Sequence, residues 1–309
     1  MNEFKITTKR MGSVFELIVG SSNAEQANHI LHSGLEEIER IEGLLSEFRE
    51  GSSTYIINKN AGIRPVSVND EVFALLIRCQ RISMLTQGAF DISVGPLKRT
   101  YQFKNKEFQL PAKKKLQEAR HLVGFQKIQL DKTVKEVFLP IRGMHISFAA
   151  IGKGYAADCV KKSWLEKGVT SGVINASGDL TTIGKRPNGV PWNVGIAHPD
   201  NKDTFIISLP VMDSSVATSS DHEQHFIHNG IRYSHNINPI TGVPVAGIKS
   251  VSIISKSAEL CDALATAVYV MGKEVGMHLL NQFPQVHGMI IDSENKTYYS
   301  NKIDFQYEA

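Results

Sequence analysis

HISFAAIGKGYAADCVKKSWLEKGVTSGVINASGDLTTIG, residues 145–184, is the most informative stretch of the chain. It begins as a turn of small residues, Ala149, Ala150, Gly152 and Gly154, around a single Lys153. A helical run over 155–167 follows, with Ala156, Val160 and Trp164 at i, i+4 and i+8 on one face. A short apolar strand, Val173-Ile174, then opens into Asn175-Ala176-Ser177-Gly178-Asp179. Small residues ahead of a helix let backbone N–H groups approach a ligand, and the helix N-terminus favours negative charge. A phosphate-bearing ligand fits that pattern. So does a plain strand–turn–helix connection whose glycines serve only tight turns.

Bulk properties narrow the field. At 309 residues the chain can form one large domain or two lobes. Its apolar and charged fractions, 42% and 21%, are those of an ordinary globular protein. A net charge of +3 gives no argument for nucleic acid, and the run Lys113-Lys114-Lys115 reads as a solvated helix face. Cys79, Cys159 and Cys261 are far apart and form no C-x-x-C, which predicts buried free thiols in a reducing compartment. The start has no apolar signal-peptide core, and no run is long enough to span a bilayer. The expectation is a cytoplasmic protein without a transmembrane segment, although an exported protein stripped of its leader reads the same.

Outward from the opening stretch, residues 4–19 read as two strands about Met11-Gly12-Ser13. Residues 24–48 place Leu31, Leu35, Ile38, Ile41, Leu45 and Phe48 at helical spacing. Asn69 or Asp70 caps a second helix ending near Leu85, with Gly88 just beyond it. The Gly-bounded segment 88–97 cannot stay helical past Pro96. A short charged helix runs from Pro111 to about Leu122, and 127–140 has the look of a hairpin. Strands are expected at 192–197, 204–211, 214–218, 249–255, 286–291 and 296–299. Ser257 caps a strongly apolar helix over 258–271, and another helix covers 273–283. Residues 219–244, with His222, His225, His228 and His235, are too irregular for a core element, and loops of that kind often carry function. Consecutive strands with helices grouped between them predict an α+β chain, a single domain over 1–309 with no visible linker.

Few residues stand out for chemistry. Asp262 and Thr266 lie four apart on the apolar helix and present two oxygens to one point. A buried carboxylate needs a cation, a donor cluster or a metal, and oxygen ligands suit Mg²⁺. An Asp near a helix start that meets backbone N–H groups and solvent is the plainer alternative. Asp179 and Asp91 sit at strand edges, where Asp usually makes turn hydrogen bonds. His235 is a candidate general base in a loop fixed by Pro239 and Gly242, or a structural histidine. Lys153 can place positive charge beside a phosphate or extend to solvent. G-x-S-x-G, H-E-x-x-H, Walker A and G-x-G-x-x-G are all absent from the sequence.

Eight segments in order nevertheless carry a resemblance: MGS at 11–13; SEF at 46–48 with Ser53 and Asn58; GAFD at 88–91 with VGPL at 94–97; AIGKGYA at 150–156 with Asp158; NASGD at 175–179; ATSSD at 217–221; His235 with Pro239, Thr241 and Gly242; and DALATA at 262–267. Together they span nearly the whole chain, which resembles the ApbE-like flavin transferases. The resemblance implies an α+β fold of mixed sheets and packed helices, in two lobes around an FAD cleft. It implies an FAD:protein FMN transferase that is Mg²⁺-dependent, links FMN through its phosphate to a threonine of a target flavoprotein, and releases AMP. Asp262, Thr266 and the Ala150 carbonyl match its metal positions. Met11, Phe48, Ala89, Phe90 and Asp91 match FAD contacts, and His235 matches the proposed base. Lys153 and Asp179 would then border the pyrophosphate. Four positions depart from the pattern: Ser147 for an Asp that touches FAD, Ser177 and Ser220 for glycines, and Asn238 for an Asp. Those departures keep an FAD carrier without transfer in view, and the same metal site would also support an FAD pyrophosphatase, with water in place of threonine, yielding FMN and AMP.

Overall fold

Alternation and capping account for the first elements. Strand β1 (Asn2–Arg10) turns through Met11 and Gly12, both at positive φ, into β2 (Ser13–Ser21), which buries Phe15, Leu17 and Val19 on one face. Asn23 then caps α1 (Ala24–Leu45) by accepting hydrogen bonds from the Glu25 and Gln26 N–H groups. The computed structural model describes residues 1–101, 103, 110–221 and 225–301, so His222 of the histidine-rich segment lies outside it.

The following elements are α2 (Ser53–Lys59), β3 (Val66–Ser67), α3 (Asp70–Leu85), α4 (Gly95–Tyr101), α5 (Lys113–His121), a 3₁₀ turn (Phe125–Lys127), β4 (Gln129–Asp131) and β5 (Glu136–Phe138). The central part holds α6 (Gly152–Glu166), β6 (Ser171–Ala176), β7 (Asp179–Gly184), β8 (Trp192–His198), β9 (Asn201–Val211) and β10 (Ser215–Ser220). The last part holds β11 (His225–His228), β12 (Ile231–Ile237), β13 (Pro244–Ala246), β14 (Ile248–Ser255), α7 (Ala258–Met271), α8 (Lys273–Leu280), β15 (His287–Asp292) and β16 (Thr297–Tyr299).

Eight strands form one sheet in the order β1-β2-β6-β7-β10-β14-β15-β16, paired antiparallel throughout. Its two faces are covered differently. Ile174 of β6, Ala217 of β10 and Val251 and Ile253 of β14 turn to the side where α1, α6 and α7 pack. Their neighbours Val173, Val216 and Ile254 turn the other way, against Trp192, Val194 and Leu209 of the β8–β9 hairpin. The period-2 alternation therefore builds two cores from one sheet.

Three local features depart from the sequence expectation. Pro96 opens α4 instead of ending a helix, because its missing N–H costs nothing in a first turn. Ser52 caps an unforeseen helix, α2. The segment expected to be irregular forms a small sheet, β11-β12-β13, carrying His225, His228 and His235 on strands. Among the described residues no helix is long and apolar enough to cross a membrane.

Candidate functional site

The site begins where α6 meets α7. A Cβ on Gly154 would lie 2.2 Å from the Ala258 carbonyl oxygen, so only glycine lets the helices approach this closely. Asp158, one turn on, caps α7: it accepts from the Ser257 hydroxyl at 2.7 Å and from the Ala258 and Glu259 N–H groups at 2.9 and 3.0 Å. The contact carries Asp262 to the start of α6, where the Gly154 N–H donates to its Oδ2 at 3.1 Å. In a regular helix that N–H would reach back to Ala150. Among the described residues no backbone N–H is bonded to the Ala150 carbonyl, which is left with acceptor capacity.

Asp179, the first residue of β7, adds a second buried carboxylate. Its Oδ1 accepts from the Thr218 N–H at 3.2 Å, and its Oδ2 contacts the Lys153 ammonium. Lys153 Nζ is also 3.8 Å from Asp262 Oδ1. One turn along α7, the Thr266 hydroxyl lies 3.2 Å from that of Ser219 on β10. Lys153, Asp179, Asp262 and Thr266 are thereby gathered from α6, β7 and α7. A carboxylate, a hydroxyl and a carbonyl are hard oxygen donors of the kind Mg²⁺ takes.

A second cluster lies at the end of α1. Glu47 accepts from the Ser147 hydroxyl at 2.8 Å and pairs with His145, while Asn58 holds the intervening Ile146 by two backbone bonds, 2.8 and 2.9 Å. Burial pushes the Glu47 carboxyl up, but His145 and Ser147, with Arg99 nearby, more than offset this and leave it below the ordinary glutamate range. Glu47 was not singled out from sequence, since its partners are 98 and 100 residues away. Next to it Phe48 is 83% exposed. Met11 donates its N–H to Glu42 at 2.7 Å, and its side chain abuts Gly152 at the start of α6.

The 88–91 loop is differently placed. The Phe90 side chain is in the core, and Ala89 is buried. Asp91 is committed to its own surroundings: Oδ1 accepts from the Ser93 N–H and hydroxyl, and Oδ2 from the Phe125 N–H. A ligand contact from this loop would therefore fall to backbone groups. Gly88 and Asp91 line an open cleft of about 600 Å³, together with Arg120, Phe125, Pro239 and Ile240. His235, half-buried on β12, belongs to the strand that packs against α7 and leads to Pro239.

Comparison with known proteins decides the family. The ApbE family model matches residues 11–290. The chain belongs to the ApbE family. Curated relatives named FAD:protein FMN transferase include one from Treponema pallidum, 31% identical over 84% of this chain and 77% of the relative. Another, from Vibrio cholerae, is 28% identical over 85% and 80%. The crystal structure of an ApbE protein from Thermotoga maritima superposes with a TM-score of 0.88 at 28% identity, covering 97% of both chains.

The positions that depart from the usual ApbE pattern have local explanations, with one exception. Ser147 carries no carboxylate but holds that of Glu47. Ser177 does occupy a left-handed conformation, φ 55, where glycine is unstrained; its hydroxyl compensates by bonding both the N–H and the carbonyl of Val14. Asn238 accepts from the Ile240 and Thr241 N–H groups at 2.9 and 3.1 Å, the turn an Asp would make. Nothing in the structure explains Ser220.

Proposed function

We propose that this ApbE-family chain is a Mg²⁺-dependent FAD:protein FMN transferase that links FMN to a threonine hydroxyl of another protein and releases AMP. The observation that carries the reading is the gathering of Lys153, Asp179, Asp262 and Thr266 where α6 meets α7, in a chain whose relatives bear that name. Phosphoryl transfer needs charge neutralisation and alignment more than covalent catalysis, and this constellation suits it. Asp262, Thr266 and Ala150 would hold Mg²⁺, which when bound neutralises charge on the pyrophosphate and the departing AMP.

The chain's own groups do the rest. Lys153 would pair with a pyrophosphate oxygen, and Asp179 would keep the lysine beside the site until metal and substrate arrive. Met11, Phe48, the Ala89-Phe90-Asp91 backbone and the Ser147–Glu47 pair would border the flavin and adenosine. The cleft that Gly88 and Asp91 line has a volume typical of small-ligand pockets. The threonine oxygen would attack the FMN phosphorus and form the new P–O bond as the bond to AMP breaks. His235 would take the threonine proton.

Incubation with FAD, Mg²⁺ and a candidate flavoprotein tests this, with AMP followed by chromatography and the partner by mass. A gain of one FMN on a threonine is expected. AMP with an unmodified partner would indicate hydrolysis, and intact bound FAD across several partners would indicate a carrier. Asp262→Ala should lose Mg²⁺-dependent turnover while staying folded, and undiminished turnover would remove the metal assignment. His235→Ala should slow transfer by roughly 10²–10⁴-fold, the usual range for a general base, with FAD binding retained. Wild-type rates would exclude it.

A further inference from the structure

We propose that Lys153 is an exchangeable counter-ion of the Asp179–Asp262 pair: its ammonium offsets one of the two carboxylate charges until a divalent cation binds, and then swings out to the ligand-facing side. This rests on the reading that Asp262 and Thr266 hold such a cation, and adds a step that the reading does not contain.

The geometry points this way. Both carboxylate side chains are almost fully buried, 4% exposed for Asp179 and 6% for Asp262. Among the described residues, Lys153 is the one cationic side chain in ion-pair range of either. A single ammonium facing two buried carboxylates leaves net negative charge where desolvation makes it costly. Each carboxylate spends one oxygen on a backbone N–H, of Gly154 or of Thr218, and turns the other toward Lys153. Those two backbone bonds keep the carboxylates in place when the ammonium leaves.

Lys153 is built to leave. Its side chain is 26% exposed, and it stands in the first turn of α6 on a flexible four-carbon stem. A dication drawn by Asp262 would be a few ångströms from the ammonium, in surroundings shielded from water, and the two would repel. The carboxylates therefore accept one or the other. Exchange of this kind makes metal affinity depend on a residue that is not a ligand. It also couples metal binding to presentation of a cation where an anionic substrate arrives.

The test uses the full chain with Mg²⁺ alone and no FAD. An amine-reactive acylating reagent is applied with and without saturating Mg²⁺, and modification at Lys153 is read by peptide mass spectrometry. Labelling should rise several-fold with Mg²⁺. Calorimetric titration of Lys153→Met should show Mg²⁺ binding on the order of tenfold tighter than wild type, within the span of ordinary site–site couplings. Mg²⁺ binding to wild type with unchanged Lys153 labelling, or an unchanged or weaker affinity in Lys153→Met, overturns the exchange and leaves the metal reading standing. Absence of Mg²⁺ binding in both proteins overturns the metal reading and the exchange with it. The labelling arm needs no variant, so a poorly folding Lys153→Met would not spare the proposal.

Discussion

Glu47 is a half-buried carboxylate held by two partners from a distant segment, Ser147 and His145. Its bonds from Ser147 and His145 hold it ionised, and the sign of the resulting pH dependence follows. A carboxyl held below its unfolded value contributes stability that is fully present above the ordinary glutamate range and is lost as pH falls through its folded value. Glu47→Gln should therefore cost about 1–2 kcal/mol at neutral pH, toward the low end of the roughly 1.5–3 kcal/mol of hydrogen bonds to a charged group because Glu47 is partly exposed to solvent. The difference from wild type should shrink as denaturation is followed into acid below about pH 4. A gap that persists in acid would show that the charge contributes nothing. Asp262 and Thr266 were legible because they are four apart on one helix. Glu47 was not, because its partners come from the 145–147 segment on the far side of the chain and no local pattern announces them.

The junction of α6 and α7 is the element on which the site depends. Alanine at 154 gains about 1 kcal/mol of helix propensity over glycine. Its methyl would, however, lie 2.2 Å from a backbone carbonyl that cannot step aside. Steric cost should win, and Gly154→Ala should destabilise by roughly 2–3 kcal/mol, as overpacked cores do, while weakening the proposed Mg²⁺ binding because parting the helices draws Asp262 away from the backbone N–H of residue 154. A stability equal to wild type in a denaturant titration would mean that the helices slide apart cheaply. Asp158→Ala removes the three bonds that cap α7 and should cost about 1–2 kcal/mol. Helices such as α1 and α7 could be read directly from sequence, since their apolar periodicity runs over many turns and each has a side-chain cap. The small β11-β12-β13 sheet could not. β11 and β13 are only four and three residues long, and β12 mixes Arg, Ser, His and Asn with its apolar residues, so that their pairing, not their composition, makes them strands.

Whether the whole chain unfolds as one unit follows from how the large sheet is shared. The two tryptophans sit on opposite faces of it. Trp164 is fully buried beneath α1, with its indole N–H on the Ile30 carbonyl at 3.1 Å. Trp192, on the hairpin side, donates to the Ile183 carbonyl at 3.2 Å. Strands β6, β10, β14 and β15 send alternate residues into both layers, so neither core can be exposed without disturbing the strands that build the other. We therefore propose a single cooperative domain. Chains of this length often unfold through intermediates, so the expectation is not trivial. Trp164→Phe and Trp192→Phe variants each leave one fluorescent reporter, on the hairpin face and the helical face respectively. Each variant's fluorescence midpoint should coincide with its own circular dichroism midpoint. Fluorescence that moves at a different denaturant concentration from the backbone signal in either variant would mean that one layer peels away first, and that the chain is two folding units built on a common sheet.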